Sequence, residues 1–112
     1  MPHIVVSYAK PVLNETSSGE LLKHLHKLAS GFETVSAEAL KLRACSFDQA
    51  WSGADFGSHV HVSMALLSGR HAELKESMAS SLQKETVSFL QNHSVKDVSV
   101  TTEVRELEVY VK

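Results

Sequence analysis

One order of secondary structure occurs twice in the chain, and it limits the folds that the sequence can adopt. In each half an apolar strand-like segment is followed by an amphipathic helical segment and then by a second strand-like segment. The halves also begin alike, since residues 3–7 read HIVVS and residues 59–63 read HVHVS. Two such units predict an α+β fold, with a four-stranded mixed sheet and two helices on one face.

The first half divides into a strand, a helix and a second strand. The run HIVVSY at 3–8 predicts a strand buried on both faces, so other subunits are expected to cover the face that the helices leave open. Ser17 and Glu20 have the spacing of a capping box at a helix start, and Gly31 predicts the helix end. The apolar stripe of this helix consists of Leu21, Leu25, Leu28, Ala29 and Phe32. In the next strand, Lys41, Arg43 and Cys45 alternate with Leu40, Leu42 and Ala44.

The second half follows the same order. Its first strand has an apolar face at Val60, Val62, Met64 and Leu66. The helix that follows has an apolar stripe at Leu74, Met78, Leu82 and Phe89. In the last strand Val98, Val100 and Val104 alternate, but Leu107, Val109 and Val111 continue one residue out of step. This change of parity predicts a bulge or bend near residues 105–106.

Length and composition limit the organisation of the chain and its partners. The 112 residues fit a single domain, 1–112, with a pseudo-repeat at about 2–57 and 58–112. The formal net charge of -2 and the scattered basic residues argue against nucleic-acid binding. No apolar run approaches the roughly 20 residues that span a membrane, and a cytoplasmic location is expected. Cys45 is the one cysteine, which we interpret as a buried structural thiol rather than a catalytic one.

The proline at position two is the strongest candidate for a catalytic group. It precedes the apolar run Ile4-Val5-Val6. The alternative to a catalytic role is that Pro2 is an incidental terminal residue in front of a strand. If Met1 is removed, however, Pro2 presents a free secondary amine. An α-amino group has a pKa of about 8, which burial or a neighbouring cation lowers. A neutral amine near pH 7 is then an effective general base.

These motifs together resemble those of a known family. The Met-Pro-His start before a buried strand, the repeated strand-helix-strand order, the KLR strand at 41–43 and the SGR turn at 68–70 resemble the tautomerase superfamily. Within it, the chain is most similar to the 5-carboxymethyl-2-hydroxymuconate isomerase family. The resemblance implies a homotrimer that takes part in aromatic compound catabolism. It also implies a keto-enol isomerase of a 2-hydroxymuconate-type carboxylate, with Pro2 as general base and neither metal nor organic cofactor.

The resemblance also implies two basic residues that hold the carboxylates of the substrate, here Lys41 and Arg70. Lysine stands where the family pattern has arginine, and it lacks the bidentate fork of a guanidinium. Arg70 has a second role in the chemistry, since a fixed guanidinium stabilises the negative charge of an enolate. Arg43 shares a strand face with Lys41, so either side chain can reach the site. The alternatives are solvated surface charges, with Arg70 paired to Glu73 or Glu76.

Other residues and other functions stay open at this level. His59 and His61 have the spacing of a metal-binding pair, but no third ligand is indicated, and metal binding is not expected. Trp51 and Phe56 either line the pocket or, as we expect, pack the loop that contains them. Besides the isomerase, the sequence fits a diverged small-ligand-binding trimer with residual tautomerase activity. It also fits a plain α+β interaction domain whose open sheet face binds another protein.

Overall fold

The computed structural model describes residues 2–53 and 58–112. In these residues the chain forms strand β1 (His3–Ala9), helix α1 (Glu15–Ser30), strand β2 (Lys41–Phe47), strand β3 (Ser58–Leu67), helix α2 (Ala72–Asn92) and strand β4 (Val98–Leu107). A single turn of 3-10 helix, Ala37–Ala39, precedes β2. The order is β-α-β twice, and the predicted α+β architecture is confirmed. Neither helix in the described part of the chain is long and apolar enough to cross a membrane.

The four strands form one mixed sheet in the order β2-β1-β3-β4. Strands β1 and β2 are parallel, β3 and β4 are parallel, and β1 pairs with β3 in the antiparallel direction. The starts of β1 and β2 therefore lie at the same end of the sheet as the ends of β3 and β4. We call this the Pro2 end of the molecule; it comprises Pro2, the α1–β2 connection (31–40), the β3–α2 connection (68–71) and the C-terminal segment (108–112).

The hydrophobic core lies between the helices and one face of the sheet. Strands β1 and β3 contribute Ile4, Val6, Val60, Val62, Met64 and Leu66, all of them buried. The helices contribute the buried residues Leu21, Leu25, Ala29, Met78, Leu82 and Phe89, while Leu28, Phe32 and Leu74 pack partly buried at the edge. Each large aliphatic side chain buried in this way contributes about 1.5–3 kcal/mol. The apolar stripes predicted for both helices are confirmed except at Phe32, which packs against the core from the connection that follows α1.

The second face of the sheet is not covered by either helix and is mostly polar. Its central residues are His3, Ser7, His61 and Ser63, with Val5 among them. In the isolated chain His3, Val5 and Ser7 of β1 are only partly buried on this face, so the expected burial of β1 on both faces requires a neighbouring copy. Cys45 also lies on this face, in edge strand β2, and its side chain is exposed. The interpretation of Cys45 as a buried thiol is wrong for the isolated chain.

Helix α1 begins one turn earlier than the Ser17–Glu20 spacing predicts. Its N-cap is Asn14, whose Oδ1 accepts a hydrogen bond from the Ser17 N–H at 2.8 Å, while the Asn14 N–H donates to Ser17 Oγ at 2.9 Å. The capping box is therefore Asn14–Ser17, and the Ser17–Glu20 box is wrong. Asn14–Ser17 and Ser17–Glu20 have the same three-residue spacing, so the sequence spacing alone does not distinguish the two boxes. Gly31 is the C-cap, as predicted.

Strand β4 is regular through the segment where the sequence predicts a bulge or bend. Val98–Leu107 pairs residue by residue with Ser58–Leu67. Glu106 takes a helix-facing position, and its carboxylate pairs with Lys75 of α2, with 3.3 Å between Nζ and Oε2. A charged residue is accommodated there because α2 supplies the opposite charge. The chain bends at residues 108–109 instead, after the strand has ended.

Replacing Asn14 with alanine is expected to lower the free energy of unfolding by about 1 kcal/mol, because the N-cap side chain is lost. The measurement is urea unfolding at a fixed protein concentration. Glu20→Ala is the matched control, since the exposed Glu20 carboxylate contacts only His93, at 3.4 Å, among the described ion-pair partners and is expected to change stability by less than about 0.5 kcal/mol. A larger loss in Glu20→Ala than in Asn14→Ala would contradict the assigned cap.

Candidate active site

Pro2 is buried immediately in front of β1, less than 2% of its surface being exposed. Its carbonyl oxygen accepts a hydrogen bond from the Lys41 N–H at 3.0 Å. The next residue, His3, is paired with Lys41 across the parallel β1–β2 ladder. The start of β2 is therefore held directly beside Pro2 by backbone pairing. Met1, whose removal the sequence analysis expects, lies outside the described residues.

Lys41 and Arg43 lie on the open face of the sheet, as their alternation predicts. Both side chains are exposed, and β2 is an edge strand. Arg43 is paired with Val5, whereas Lys41 is paired with His3, so Lys41 is the cation nearer to Pro2 along the ladder. Neither side chain forms an ion pair within residues 2–53 and 58–112. Both charges are therefore available to an anionic ligand.

Arg70 lies between β3 and α2 and donates three hydrogen bonds to neutral oxygens. Nε donates to Thr34 Oγ1 at 2.8 Å, and Nη2 donates to the Thr34 carbonyl at 3.1 Å. Nη1 donates to the Leu67 carbonyl at 3.0 Å. The alternative in which Arg70 pairs with Glu73 or Glu76 is wrong, because these donors face the α1–β2 connection and the end of β3. Because these three acceptors are neutral, none of them offsets the positive charge of the guanidinium.

A cavity of about 530 Å³ opens beside Arg70 at the Pro2 end. Its wall consists of Glu33, Thr34, Gly69, Arg70, His71, Glu73 and Leu74. Pro2, Lys41 and Arg43 are not among these described lining residues. The fold thus brings the predicted residues Pro2, Lys41, Arg43 and Arg70 towards one end of the sheet. Pro2 and Lys41 are joined there by a backbone hydrogen bond, whereas Arg70 borders a separate cavity.

His3 and Tyr110 form a contact at this end that the sequence analysis missed. His3 Nε2 and the Tyr110 hydroxyl are 2.9 Å apart, and the two rings meet edge to face with centroids 5.6 Å apart. The bend after β4 brings Tyr110 back over the open face to the residue that follows Pro2. The only sequence signal for this contact is the change of parity after Val104, because the two residues are far apart in the chain.

The other candidate residues have partners of their own or point into solvent. Both ring nitrogens of His61 are engaged, Nδ1 with Thr101 Oγ1 at 2.7 Å and Nε2 with Glu103 Oε2 at 2.6 Å. The ring of His59 lies against Phe47, with 5.1 Å between centroids. No group of three or more metal-binding side chains occurs among the described residues. Trp51 is 92% exposed, so the expectation that it packs its loop is wrong, and Phe56 lies outside the described residues.

Comparison with known proteins identifies the relatives of the chain. The sequence model of the 5-carboxymethyl-2-hydroxymuconate isomerase family matches residues 2–112. No curated protein sequence matches at a significant level. Among solved structures, a 5-carboxymethyl-2-hydroxymuconate isomerase from Deinococcus radiodurans R1 is 20% identical, with a TM-score of 0.79 over 99% of this chain and 88% of that chain.

Two further structures extend the same likeness. A 5-carboxymethyl-2-hydroxymuconate delta-isomerase superposes with a TM-score of 0.81 at 12% identity, over 100% of this chain and 86% of that chain. A fused 4-OT wild-type symmetric trimer superposes with a TM-score of 0.75 at 17% identity, over 94% of this chain and 85% of that chain. At these identities the superpositions establish only the fold, which is that of the tautomerases. The assignment to the isomerase family rests on the match of the family sequence model.

Tyr110→Phe is expected to loosen the C-terminal segment, because it removes the hydroxyl that meets His3 Nε2. A hydrogen bond of this kind contributes about 0.5–1.5 kcal/mol, so backbone amides of 108–112 should exchange up to about tenfold faster. Hydrogen exchange with mass spectrometry on the C-terminal peptide measures the change. The neighbouring side chain of Val109 is 85% exposed, and Val109→Ala serves as the control. Equal exchange in the wild type and Tyr110→Phe would show that the contact does not hold the segment.

Proposed function

Because the chain belongs to the 5-carboxymethyl-2-hydroxymuconate isomerase family, we propose that this isomerase uses the nitrogen of Pro2 as its general base. Its substrate is a 2-hydroxymuconate-type unsaturated carboxylate, and the reaction is keto-enol isomerisation. The observation that carries the proposal is the burial of Pro2 beside the first residue of β2, a lysine, at the end of the sheet that also holds Arg70.

The reaction moves one proton and one set of conjugated double bonds. The Pro2 amine takes the proton from the enol oxygen of the substrate, which becomes a dienolate. The carbonyl forms as the electron pair shifts along the diene, and a carbon atom takes the proton back from the Pro2 ammonium. Atoms, charge and oxidation state balance between substrate and product, so the step needs no oxidant or reductant.

Two features of the structure support Pro2 as a base at neutral pH. Its ring is buried, and burial disfavours the charged ammonium form, which lowers the pKa of an amine. The backbone of Lys41 is bonded to the Pro2 carbonyl, and the Lys41 ammonium group is proposed to lower the pKa of the amine further. A secondary amine that is neutral near pH 7 matches the requirement for efficient general base catalysis. The mechanism requires that Met1 is removed, because an acylated proline nitrogen is an amide.

The cations at the Pro2 end are proposed to bind the carboxylates and the developing enolate. Arg70 offers a guanidinium whose charge is not neutralised by a protein carboxylate in the described residues. Lys41 offers a point charge close to Pro2, and Arg43 lies one pleat further along the same face. A lysine binds a carboxylate through one ammonium group and not through a fork, so Lys41 sets the orientation of the substrate less strictly than an arginine would.

A homotrimer completes the proposal. Within one chain Pro2 does not line the cavity beside Arg70, so a continuous site requires a neighbouring copy or a rearrangement at the Pro2 end. The open face of the sheet, with Arg43 exposed on edge strand β2, offers a surface for that copy. The structural neighbour that is a fused 4-OT symmetric trimer supports this assembly. A cytoplasmic location belongs to the same proposal, and the trimer itself is tested by light scattering in solution.

A diverged ligand-binding trimer with residual tautomerase activity is the alternative function. The lysine at position 41, where the family pattern has arginine, favours it, because an ammonium group orients a carboxylate less firmly and a loosely held substrate turns over slowly. The two functions differ in their rate on the same substrate. The family match gives no support to a plain interaction domain.

The decisive assay is ultraviolet-monitored ketonisation of 2-hydroxymuconate and of its 5-carboxymethyl analogue. The protein is first shown by intact mass to lack Met1. Turnover that is abolished by covalent labelling of the Pro2 amine supports the isomerase with Pro2 as base. A folded trimer with a free amine and no turnover on either compound favours the diverged binder instead.

Pro2→Ala is expected to lower kcat by about 10- to 1000-fold, because general base catalysis contributes factors of that order and a primary amine replaces the buried secondary one. Steady-state kinetics on the better of the two substrates measure the loss, with intact mass confirming the same N-terminus in both proteins. Lys84→Ala on the exposed side of α2 is the control and should match the wild type. Equal kcat in Pro2→Ala and the wild type would contradict the mechanism.

Arg70→Ala is expected to lower kcat/KM by about 10- to 100-fold, the equivalent of losing hydrogen bonds to a charged group. Because the guanidinium is proposed to bind substrate and also to stabilise the enolate, KM should rise and kcat should fall. Arg70→Lys should recover part of the loss, since the charge remains but the fork does not. An unchanged kcat/KM in Arg70→Ala would remove this residue from the site.

A further inference from the structure

We propose that Thr34 is a positioning residue for Arg70, which holds the guanidinium so that its two free N–H groups meet one carboxylate of the substrate. The inference rests on the proposed function of Arg70. Thr34 lies in the connection between α1 and β2, and Arg70 lies between β3 and α2, so the contact joins the two β-α-β units at the Pro2 end.

Thr34 binds the guanidinium through two different oxygens. Its Oγ1 accepts from Nε at 2.8 Å, and its carbonyl accepts from Nη2 at 3.1 Å. Two nearly parallel bonds to one residue fix the plane of a guanidinium, as a bidentate carboxylate would. The Leu67 carbonyl accepts from Nη1 at 3.0 Å and prevents rotation about that contact. Thr34 therefore orients the guanidinium as a carboxylate would, but its neutral oxygens do not offset the positive charge of Arg70.

The bonds leave two donors of Arg70 for a ligand. A guanidinium has five N–H groups, one on Nε and two on each terminal nitrogen. The contacts with Thr34 and Leu67 use one N–H on each of the three nitrogens. One donor on Nη1 and one on Nη2 remain, and we assign these two donors to the two oxygens of a substrate carboxylate. The same residue is partly buried and borders a cavity of about 530 Å³.

The backbone of Thr34 is in an unfavourable conformation. Its φ of 69° lies in the left-handed region, which β-branched residues rarely adopt. The other described non-glycine residues with positive φ are Ser94 and Asp97, neither of which is β-branched. Thr34 is also exposed, so packing in the core does not explain a threonine there. A strained residue that persists at such a position is a candidate for a functional role, and here the strained residue directs both of its oxygens at Arg70.

The wall of the cavity gives a reason why Arg70 needs to be held. Glu33 and Glu73 line the same cavity as the guanidinium. An arginine without fixed partners at this position would be free to pair with one of these carboxylates, and its charge would then be lost to the substrate. By occupying Nε and Nη2, Thr34 keeps the guanidinium from such a pair and reduces the entropy that ligand binding would otherwise cost.

The kinetic test compares Thr34→Ala with Thr34→Ser, which keeps the hydroxyl. Thr34→Ala is expected to raise KM by about 3- to 30-fold on the substrate that the wild type turns over, with kcat within about threefold. Thr34→Ser should restore KM to within about twofold of the wild type, which a purely structural role of the methyl group would not produce. Thr34→Gly, which adopts positive φ without strain, replaces Thr34→Ala if that variant does not fold, and the same rise in KM is expected.

A spectroscopic measurement tests the orientation without any turnover. The chain contains three arginines, Arg43, Arg70 and Arg105, so the Nε–H signals in a 15N NMR spectrum are few, and Arg70→Lys identifies the signal of Arg70. We expect this signal to exchange slowly with solvent in the wild type and in Thr34→Ser. In Thr34→Ala it should exchange at least about tenfold faster.

The outcomes separate this inference from the proposed function. If Arg70→Ala impairs turnover while Thr34→Ala does not, or if the Arg70 Nε–H exchange is the same in Thr34→Ala and the wild type, the inference is wrong and the proposed function stands. If Arg70→Ala turns over like the wild type, Arg70 does not bind substrate. The inference about Thr34 and the proposed role of Arg70 are then both wrong. A raised KM in Thr34→Ala, rescued by serine and accompanied by faster exchange, supports the inference.

Discussion

The pairing of β1 with its two neighbours is the constraint on which the site depends. β1 lies between β2, which runs parallel to it, and β3, which runs antiparallel. The register of these ladders puts every second side chain of each strand under the helices. It also brings the start of β2 and the end of β3 to the residue that begins β1. Pro2, Lys41 and the turn with Arg70 therefore share one end of the sheet because of hydrogen bonds between main chains, whatever their side chains contact.

Arg70 is held in a different way from the lysines that form ion pairs within the chain. Lys75 is paired with Glu106 and Lys10 with Asp48, so these charges are balanced within the chain. At the Pro2 end, by contrast, Arg70 is held by neutral oxygens, and Lys41 has no carboxylate partner in the described part of the chain. A positive charge that is positioned but not neutralised is the arrangement that an anionic substrate requires. Family membership and local chemistry therefore point to the same type of ligand.

The differences between expectation and structure have local physical causes. The Asn14–Ser17 box and the Ser17–Glu20 spacing are both plausible caps, and the one that closes depends on where the loop from β1 delivers the chain. Cys45 lies in an apolar-looking strand, but it is at an edge and on the face away from the helices. Glu106 breaks the apolar alternation and still faces α2, because Lys75 provides its counter-charge. For Cys45 and Glu106 the outcome depends on elements that are distant in sequence.

The sequence by itself determined the two β-α-β units, the apolar stripes of both helices and the residues that identify the isomerase family. These features follow from periodicity and local chemistry, which a linear sequence carries in full. Tertiary structure alone decided that Lys41 is nearer than Arg43 to Pro2 along the ladder, that Thr34 accepts hydrogen bonds from Arg70, and that Tyr110 reaches His3. The physical reason is that hydrogen bonds between distant residues depend on strand register and on the path of the loops, and neither leaves a periodic signal in the sequence.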